Sequence, residues 1–210
     1  KKKFLTTEDV NKITYHAFKL QKNYQTHASG YDVLNQSLGG AVVSTPLKNN
    51  QWPGSWEILS LKNNFLKYLH ICIGTQGSAT RETIKQSIDI YKNLINFYNA
   101  SETLIDNFIS FLKEPENKKI LLNLFISIKN HRKLIKKLPS YPEEILNDLE
   151  YLPGLDSTWS FKPTGAGGLD AIILIGDRNN ISTPLKLLKQ KKWKLYPVQI
   201  DNTGIKIHSS

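Results

Sequence analysis

The chain has 210 residues, of which 40% are apolar and 22% charged, and these values are typical of a globular protein. No apolar run reaches the roughly 20 residues that a membrane-spanning helix needs, and the first residues lack the apolar segment of a signal peptide. The single cysteine, Cys72, excludes an internal disulfide and makes the cytoplasm the expected compartment. Cys72 lies in an apolar stretch, so it is either a small core residue or a nucleophile.

The formal net charge is +10, from 28 basic and 18 acidic residues, and basic residues cluster at 1–3, 132–137 and 189–194. Such a surplus is typical of a solvated basic face, of a site for phosphate-bearing ligands or of a nucleic-acid surface. No nucleic-acid motif accompanies the lysines, so we expect no nucleic acid as a partner.

The first third of the chain predicts two helices and three strands. Residues 6–9 (TTED) combine hydroxyl caps with acids, which predicts a helix over about 8–24 that carries Ile13, Ala17, Phe18 and Leu20. A short helix with a glycine exit is expected within 27–40. Strands are expected over 41–44, 55–61 and 67–73.

The middle of the chain is predicted to be helical. A helix opens near Ser78, and steps of four and three place five residues on one buried face: Ile84, Ile88, Tyr91, Ile95 and Tyr98. Further helices are expected over 101–113 and 117–138. The second has one apolar face at the same steps, on which His131 is a hydrogen-bonded core residue or a ligand. The residues of that face are Leu121, Leu124, Ile128, His131, Ile135 and Leu138. A short helix starts at 142–144 and ends near 152.

The last third predicts strands over 158–161, 171–175, 195–200 and 205–208, with a helix over 184–190. From residue 67 onward the order is strand, helices, strand, strand, helix, strand. This is the split βαβ, ferredoxin-like pattern, with extra helices in its first crossover. The fold class is therefore α+β, in two layers.

A glycine-rich turn stands out at residues 162–170 (KPTGAGGLD), directly before the apolar strand 171–175. Three glycines within four positions allow positive φ angles and a close approach of the backbone to another group. The turn is either a plain connection between two strands or a concavity whose amides bind an anion.

Several motifs, read together, resemble those of the GHMP kinases, the superfamily of galactokinase, homoserine kinase, mevalonate kinase and phosphomevalonate kinase. They are SGYDV at 29–33 with GG at 39–40, GTQGSATRET at 74–83, NH at 130–131, SYP at 140–142 and the turn at 162–170. The resemblance covers nearly the whole chain. It implies a GHMP-kinase-like fold in which 1–61 is the remainder of an N-terminal domain and 62–210 the C-terminal domain.

The resemblance implies an ATP-dependent phosphotransferase that uses Mg²⁺ and a phosphorylated small-molecule acceptor. Lys162, Pro163, Asp170 and Val33 look like the phosphomevalonate kinase branch of the mevalonate, or isoprenoid, pathway, whereas residues 27–29 are closer to mevalonate kinases. The alternatives are therefore mevalonate kinase or another GHMP sugar or metabolite kinase, and an inactive basic module of the same fold. No membrane is expected as a partner, and a homodimer is an open alternative.

By the same resemblance, Asp32 is the catalytic residue that accepts or orients the acceptor's proton, with a plain helix N-cap as the alternative. Gln21 stands eleven residues earlier, where mevalonate kinases place a Mg²⁺-ligating Glu; the alternative is a solvated helix residue. Capping is the alternative for Ser78 and Thr80, and Arg81 suits a phosphate. The implied substrate-binding residues are Ser29, Gly30, Ser78, Thr80, Arg81, Gly165, Ala166, Gly167, Gly168 and Asp170.

The family's phosphate-cradling loop does not occur in these 210 residues. The family order puts it upstream of Lys1, so the chain resembles the C-terminal two thirds of such a kinase and its main ATP-binding residues are not among those named. We expect the isolated chain to be inactive for that reason.

Overall fold

The computed structural model describes residues 6–24, 30–44, 56–59, 61, 63–74, 95–138, 141, 143–164 and 170–204. The chain forms two compact units, Lys1–Leu61 with Gln199–Ser210 and Lys62–Val198. Residues 199–204 therefore group with the first unit, whereas the sequence reading assigned them to the second domain. Within the described ranges, no helix is long and apolar enough to cross a membrane.

Helix α1 of the first unit spans Thr7–Tyr24 and begins as the capping residues predict. The Thr6 hydroxyl accepts from the amide of Asp9 (3.2 Å), and the Asp9 carboxylate accepts from the amide of Thr6 (3.0 Å). This reciprocal pair satisfies two amides that the first turn would otherwise leave open.

The rest of the first unit is built from α2 (Tyr31–Leu38) and two antiparallel strands, β1 (Ala41–Ser44) and β2 (Trp56–Leu59). Gly39 and Gly40, both at positive φ, join α2 to β1. The Gly40 amide donates to the Asp201 carbonyl (2.6 Å), which ties the segment 199–204 to this unit.

The second unit contains an antiparallel sheet of four strands, β3 (Leu69–Ile73), β4 (Trp159–Pro163), β5 (Ala171–Gly176) and β6 (Lys194–Tyr196). Their order across the sheet is β4-β5-β3-β6. This is the strand arrangement of the split βαβ motif, as the element order predicts. A 3₁₀ turn, Asn63–Lys67, leads into β3, so that strand begins two residues later than expected.

The described helices of the second unit are α3 (Ile95–Lys113), α4 (Lys118–Ile135), α5 (Glu143–Glu150) and α6 (Ser182–Gln190). The side chain of Asn117 caps α4 by accepting from the amides of Lys119 (3.1 Å) and Ile120 (3.4 Å). Helices α3, α4 and α5 lie in the crossover between β3 and β4, where extra helices were expected.

The core of the second unit lies between the sheet and these helices. Its sheet-side members include Trp159, Phe161, Ile172 and Leu174, each at most 1% exposed. The helices contribute the remaining apolar side chains, among them Ile135, Leu146, Leu149 and Leu188. Of the face predicted for α4, Leu124, Ile128, His131 and Ile135 are buried, and Leu121 at its start is half-buried.

Three predictions are wrong in detail. The break expected near residue 100 does not exist, because α3 is one continuous helix whose buried positions are Leu104, Phe111 and Leu112. Ile95 and Tyr98 are 75% and 58% exposed, so the predicted stripe is not buried at this end.

The third error concerns β6, which ends at Tyr196 rather than near residue 200. Pro197 follows, and a proline cannot donate a hydrogen bond to a neighbouring strand. The predicted strand 205–208 and most of the helix expected from Ser78 lie outside the described residues.

Candidate functional site

Asp32 lies in the first turn of α2, in the first unit, with an exposed side chain. Gly30 takes the N-cap position at φ 74°, so Asp32 is not the cap, and the capping alternative does not hold. The unpaired backbone N–H groups in the first turn of a helix attract a negatively charged side chain at that end. Asp32 is thus an accessible carboxylate that does not serve to cap its own helix.

Gln21 reaches Asp32 from the last turns of α1, since its Nε2 donates to Asp32 Oδ2 at 2.8 Å. The spacing of eleven residues brings the two side chains together because α1 and α2 pack against each other. Gln21 Oε1 is buried and has no hydrogen-bond partner. The amide therefore orients Asp32 by donating to it, and its oxygen points away from that carboxylate into the protein.

In the described part of the chain, no group of three or more His, Cys, Asp or Glu side chains is arranged to hold a metal ion. The buried oxygen of Gln21 does not present a ligand beside Asp32, since the nitrogen of the same amide occupies that side. This arrangement does not fit Mg²⁺ at Gln21. The Mg²⁺-ligating role of Gln21 remains a prediction from the sequence, and no chemical step is derived through it.

The glycine motif belongs to the second unit, and its flanks form neighbouring antiparallel strands. Pro163 of β4 pairs with Ile172 of β5, and the Thr164 amide donates to the Ala171 carbonyl (3.0 Å). The motif therefore connects the two strands of a β-hairpin, as its strand-turn-strand context predicts. Asp170 precedes β5 directly, and its carbonyl accepts from the Gly74 amide (2.8 Å).

The other predicted substrate-binding residues lie outside the described residues. They are Ser29, Ser78, Thr80, Arg81, Gly165, Ala166, Gly167 and Gly168. Their roles remain predictions. Among the named site residues, Gln21, Gly30 and Asp32 occur together in the first unit, and Asp170 belongs to the second.

His131 and Lys162 form a buried polar neighbourhood under the sheet-facing side of α4. His131 is 7% exposed, its Nδ1 has no hydrogen-bond partner and its ring lies 5.2 Å from that of Phe97. Burial, with the positive charge of Lys162 nearby, lowers the His131 pKa to about 4. Burial also lowers the pKa of Lys162, whose ammonium donates to the Pro163 carbonyl (2.9 Å).

Cys72 lies in β3 with 1% of its surface exposed. Burial raises the pKa of its thiol to about 11, so the thiol is protonated at neutral pH. A nucleophilic cysteine needs the thiolate form. Of the two alternatives, the structure supports a core residue.

A buried ionic cluster is the feature that the sequence analysis missed. Arg132, expected on a solvated basic face, is 4% exposed. Its guanidinium lies 2.5 Å from Asp156 Oδ2, donates to the Phe161 carbonyl (3.0 Å) and sits 4.4 Å from the centre of the Phe161 ring. Glu150 approaches the same guanidinium at 3.6 Å.

No protein-family model matches the chain, and no curated protein matches its sequence. Several solved structures do match it. The Lin0012 protein of Listeria innocua aligns with a TM-score of 0.68 at 14% identity, over 92% of this chain and 64% of that protein. A mevalonate kinase aligns with a TM-score of 0.63 at 21% identity, over 92% and 57%. The mevalonate kinase of Methanococcus jannaschii aligns with a TM-score of 0.61 at 19% identity, over 92% and 56%.

At these identities the likeness concerns the fold. The chain spans 56% to 64% of the length of these three proteins. Its helices and antiparallel sheets match those of GHMP-kinase-like neighbours, so the predicted fold class is confirmed. The chain thus shares a mixed α/β fold with the matching part of these structures.

Proposed function

We propose that the chain is the larger part of an ATP-dependent small-molecule kinase of the GHMP type, with Asp32 beside the acceptor. The observation that carries this proposal is the pair formed by Asp32 and Gln21, in which an exposed carboxylate at a helix N-terminus is oriented by a neutral amide at 2.8 Å. The match to mevalonate kinase folds supports the class of enzyme. Phosphomevalonate is the first candidate acceptor, on the flanks of the glycine motif.

Phosphoryl transfer depends mainly on alignment and on neutralising charge. An oxygen of the acceptor attacks the terminal phosphorus of ATP, the bond to the bridging oxygen of ADP breaks, and any proton on the acceptor must leave. ATP and Mg²⁺ are the expected cofactors, and when bound they supply the phosphoryl group and shield its charge. Asp32 takes or directs the acceptor's proton, and Gln21 holds the carboxylate in one orientation.

Mevalonate is the second candidate acceptor, and the surroundings of Asp32 favour it. Among the described residues, no cation forms an ion pair with Asp32, and its hydrogen-bond partner is the neutral amide of Gln21. A hydroxyl acceptor has a proton that a carboxylate can take. A phosphate acceptor is largely ionised at neutral pH, since its second pKa is about 6, and it would meet Asp32 as a like charge.

A coupled ATP assay on the full gene product that contains these 210 residues tests the proposal. Mevalonate, phosphomevalonate and galactose are compared as acceptors. The variant Asp32→Asn should lower kcat by about 10²–10⁴-fold with little change in KM. Gln36→Ala is the matched control, because Gln36 is an exposed residue of the same helix. Turnover of none of the three acceptors, or full activity of Asp32→Asn, contradicts the proposal.

The variant Gln21→Glu separates an orienting role from metal ligation. A carboxylate at position 21 cannot donate to Asp32, so orientation by the amide predicts a lower kcat at an unchanged Mg²⁺ requirement. Metal ligation by residue 21 predicts instead that the variant works at lower Mg²⁺ concentrations, because a carboxylate is the better ligand. The cytoplasmic location and the possible homodimer remain proposals.

A further inference from the structure

A groove of about 470 Å³ lies in the second unit, beside the exposed face of α4. Its other wall is the segment that ends α5 and leads toward β4. The lining residues are Lys129, Arg132, Lys133, Lys136, Glu150, Leu152, Gly154, Leu155 and Asp156. This volume lies within the range of small-ligand sites in proteins, which runs from about 300 to 1,000 Å³.

Both carboxylates of the groove are fully engaged. Asp156 binds Arg132 through Oδ2 and accepts from the Ser160 hydroxyl through Oδ1 (2.6 Å). Glu150 binds Lys136 through Oε2 and accepts from the Tyr141 hydroxyl through Oε1 (3.3 Å). Each acid is thus matched by one base, and their charges cancel within the wall of the groove.

Lys129 and Lys133 are the two basic residues of the groove that do not pair with Asp156 or Glu150. Both are exposed and stand four positions apart on α4, which places them on one face of the helix. No carboxylate in the described ranges lies within ion-pair distance of either ammonium group. Like charges at this spacing repel each other, and an anion that lies between them relieves that repulsion.

The walls of the groove are held in place before any ligand arrives. Arg132 is fixed by Asp156, by the Phe161 carbonyl and by the Phe161 ring. On the opposite wall, Gly154 (φ 81°) turns the chain, and its carbonyl accepts from the Thr158 amide (2.9 Å). A site that is ordered in advance loses less entropy when it binds a ligand.

We propose that this groove binds the diphosphate or triphosphate group of a small ligand, held by Lys129 and Lys133. Lysine ammonium groups bind phosphates as mobile point charges, and two of them four residues apart can contact two phosphoryl groups at once. The groove belongs to the second unit and Asp32 is not among its lining residues, so this proposal does not depend on the proposed kinase activity.

Calorimetric titration of the full gene product that contains these 210 residues tests the proposal, with inorganic pyrophosphate, inorganic tripolyphosphate and ADP as probes at low and at 0.15 M salt. The double variant Lys129→Ala/Lys133→Ala should weaken pyrophosphate binding by about fivefold to tenfold at low salt, and the difference should shrink at 0.15 M. The double variant Lys186→Ala/Lys189→Ala is the matched control, since it removes two exposed lysines of the same unit outside the groove. It should change the affinity by less than twofold.

The outcomes separate the sources of the phosphate group. Tighter binding of ADP than of pyrophosphate indicates a nucleotide, and the reverse order indicates a free polyphosphate; both support the proposal if the Lys129/Lys133 variant weakens them. Absence of binding by all three probes overturns it. An equal loss of affinity in both double variants also overturns it, because attraction to net charge alone then accounts for the binding.

Discussion

Removing the carboxylate of Asp156 should strongly destabilise the second unit, because this side chain is only 8% exposed and pairs with the buried Arg132. The variant Asp156→Ala leaves the guanidinium of Arg132, whose side chain is 5% exposed, with Glu150 at 3.6 Å as its remaining counter-charge among the described residues. Breaking a buried ion pair costs about 3–5 kcal/mol, and the remaining Glu150 reduces this to roughly 2–3 kcal/mol.

Two further costs add to this figure. Ser160 is fully buried, and its hydroxyl loses the acceptor at 2.6 Å, which costs about 1 kcal/mol. Asp156 also has φ 59°, a conformation that alanine adopts less readily than aspartate, by about 1 kcal/mol. The total is about 4–5 kcal/mol, which corresponds to a fall in Tm of roughly 8–20 °C for a chain of this size.

Urea and thermal unfolding followed by tryptophan fluorescence measure this loss, because Trp159 is buried in the same core. Asp156→Asn keeps an oxygen acceptor and tolerates the positive φ, so it should cost about half as much. The exposed pair of Lys191 and Asp148, at 2.9 Å, is the internal comparison, and Lys191→Ala should cost less than about 1 kcal/mol.

A double-mutant cycle of Arg132→Leu and Asp156→Asn isolates the ion pair. The coupling energy should reach about 2 kcal/mol, because each single variant leaves a buried charge that the double variant does not. Single-variant losses that add to within about 0.5 kcal/mol would refute this reasoning. In that case Arg132 would stabilise the unit by packing on the Phe161 ring rather than through its charge.

Three further predictions concern other buried residues. Burial holds the pKa of His131 at about 4 in the folded chain, so the unfolded chain binds more protons as the pH falls below 6.5. The free energy of unfolding should therefore fall by up to about 3 kcal/mol between pH 6.5 and pH 4. In urea titrations His131→Phe should flatten this dependence on pH, and an unchanged dependence refutes the assignment to His131. Gly39→Ala should destabilise the first unit by at least about 2 kcal/mol more than Gly40→Ala. A Cβ at position 39 would lie 2.5 Å from the Gly204 amide nitrogen, whereas a Cβ at position 40 would lie 3.4 Å from its nearest atom. Equal Tm values for the two variants contradict this packing. Cys72 should not react with a thiol reagent at pH 8 until the chain is unfolded, and one rapid equivalent in the native protein shows that the β3 core is open.

The sequence predicts the second unit well where a helix or strand has one apolar face. The steps of three and four from Leu124 to Ile135 identify the buried side of α4, because the burial of one face imposes that period. The same rule fails for Ile95 and Tyr98, since both belong to the first turn of α3, whose buried side is set by Leu104 and Phe111.

The ionic cluster could not be predicted from any local pattern. Arg132 follows His131 within a run of basic residues, and a charged residue at such a position is usually solvated. Its partner, Asp156, lies 24 residues later in an irregular segment whose path depends on the packing of α5 and β4. The tertiary fold is what brings Arg132 and Asp156 together. Lys129 and Lys133, on the same helix as Arg132, stay exposed.

The pair of Gln21 and Asp32 shows which part of the proposed site depends on spacing and which on chemistry. Gln21 and Asp32 are eleven residues apart, and this spacing is what suggested the comparison of Gln21 with the Mg²⁺-ligating Glu of mevalonate kinases. The packing of α1 on α2 places the two side chains in contact. An amide differs from a carboxylate at position 21 in one decisive way: it donates a hydrogen bond to Asp32 and adds no negative charge. Under the proposed function, Asp32 takes a proton from a hydroxyl acceptor, whereas a doubly charged phosphate acceptor beside Asp32 requires a cation from elsewhere in the protein. Comparing mevalonate with phosphomevalonate in the assay tests which of the two acceptors the enzyme uses.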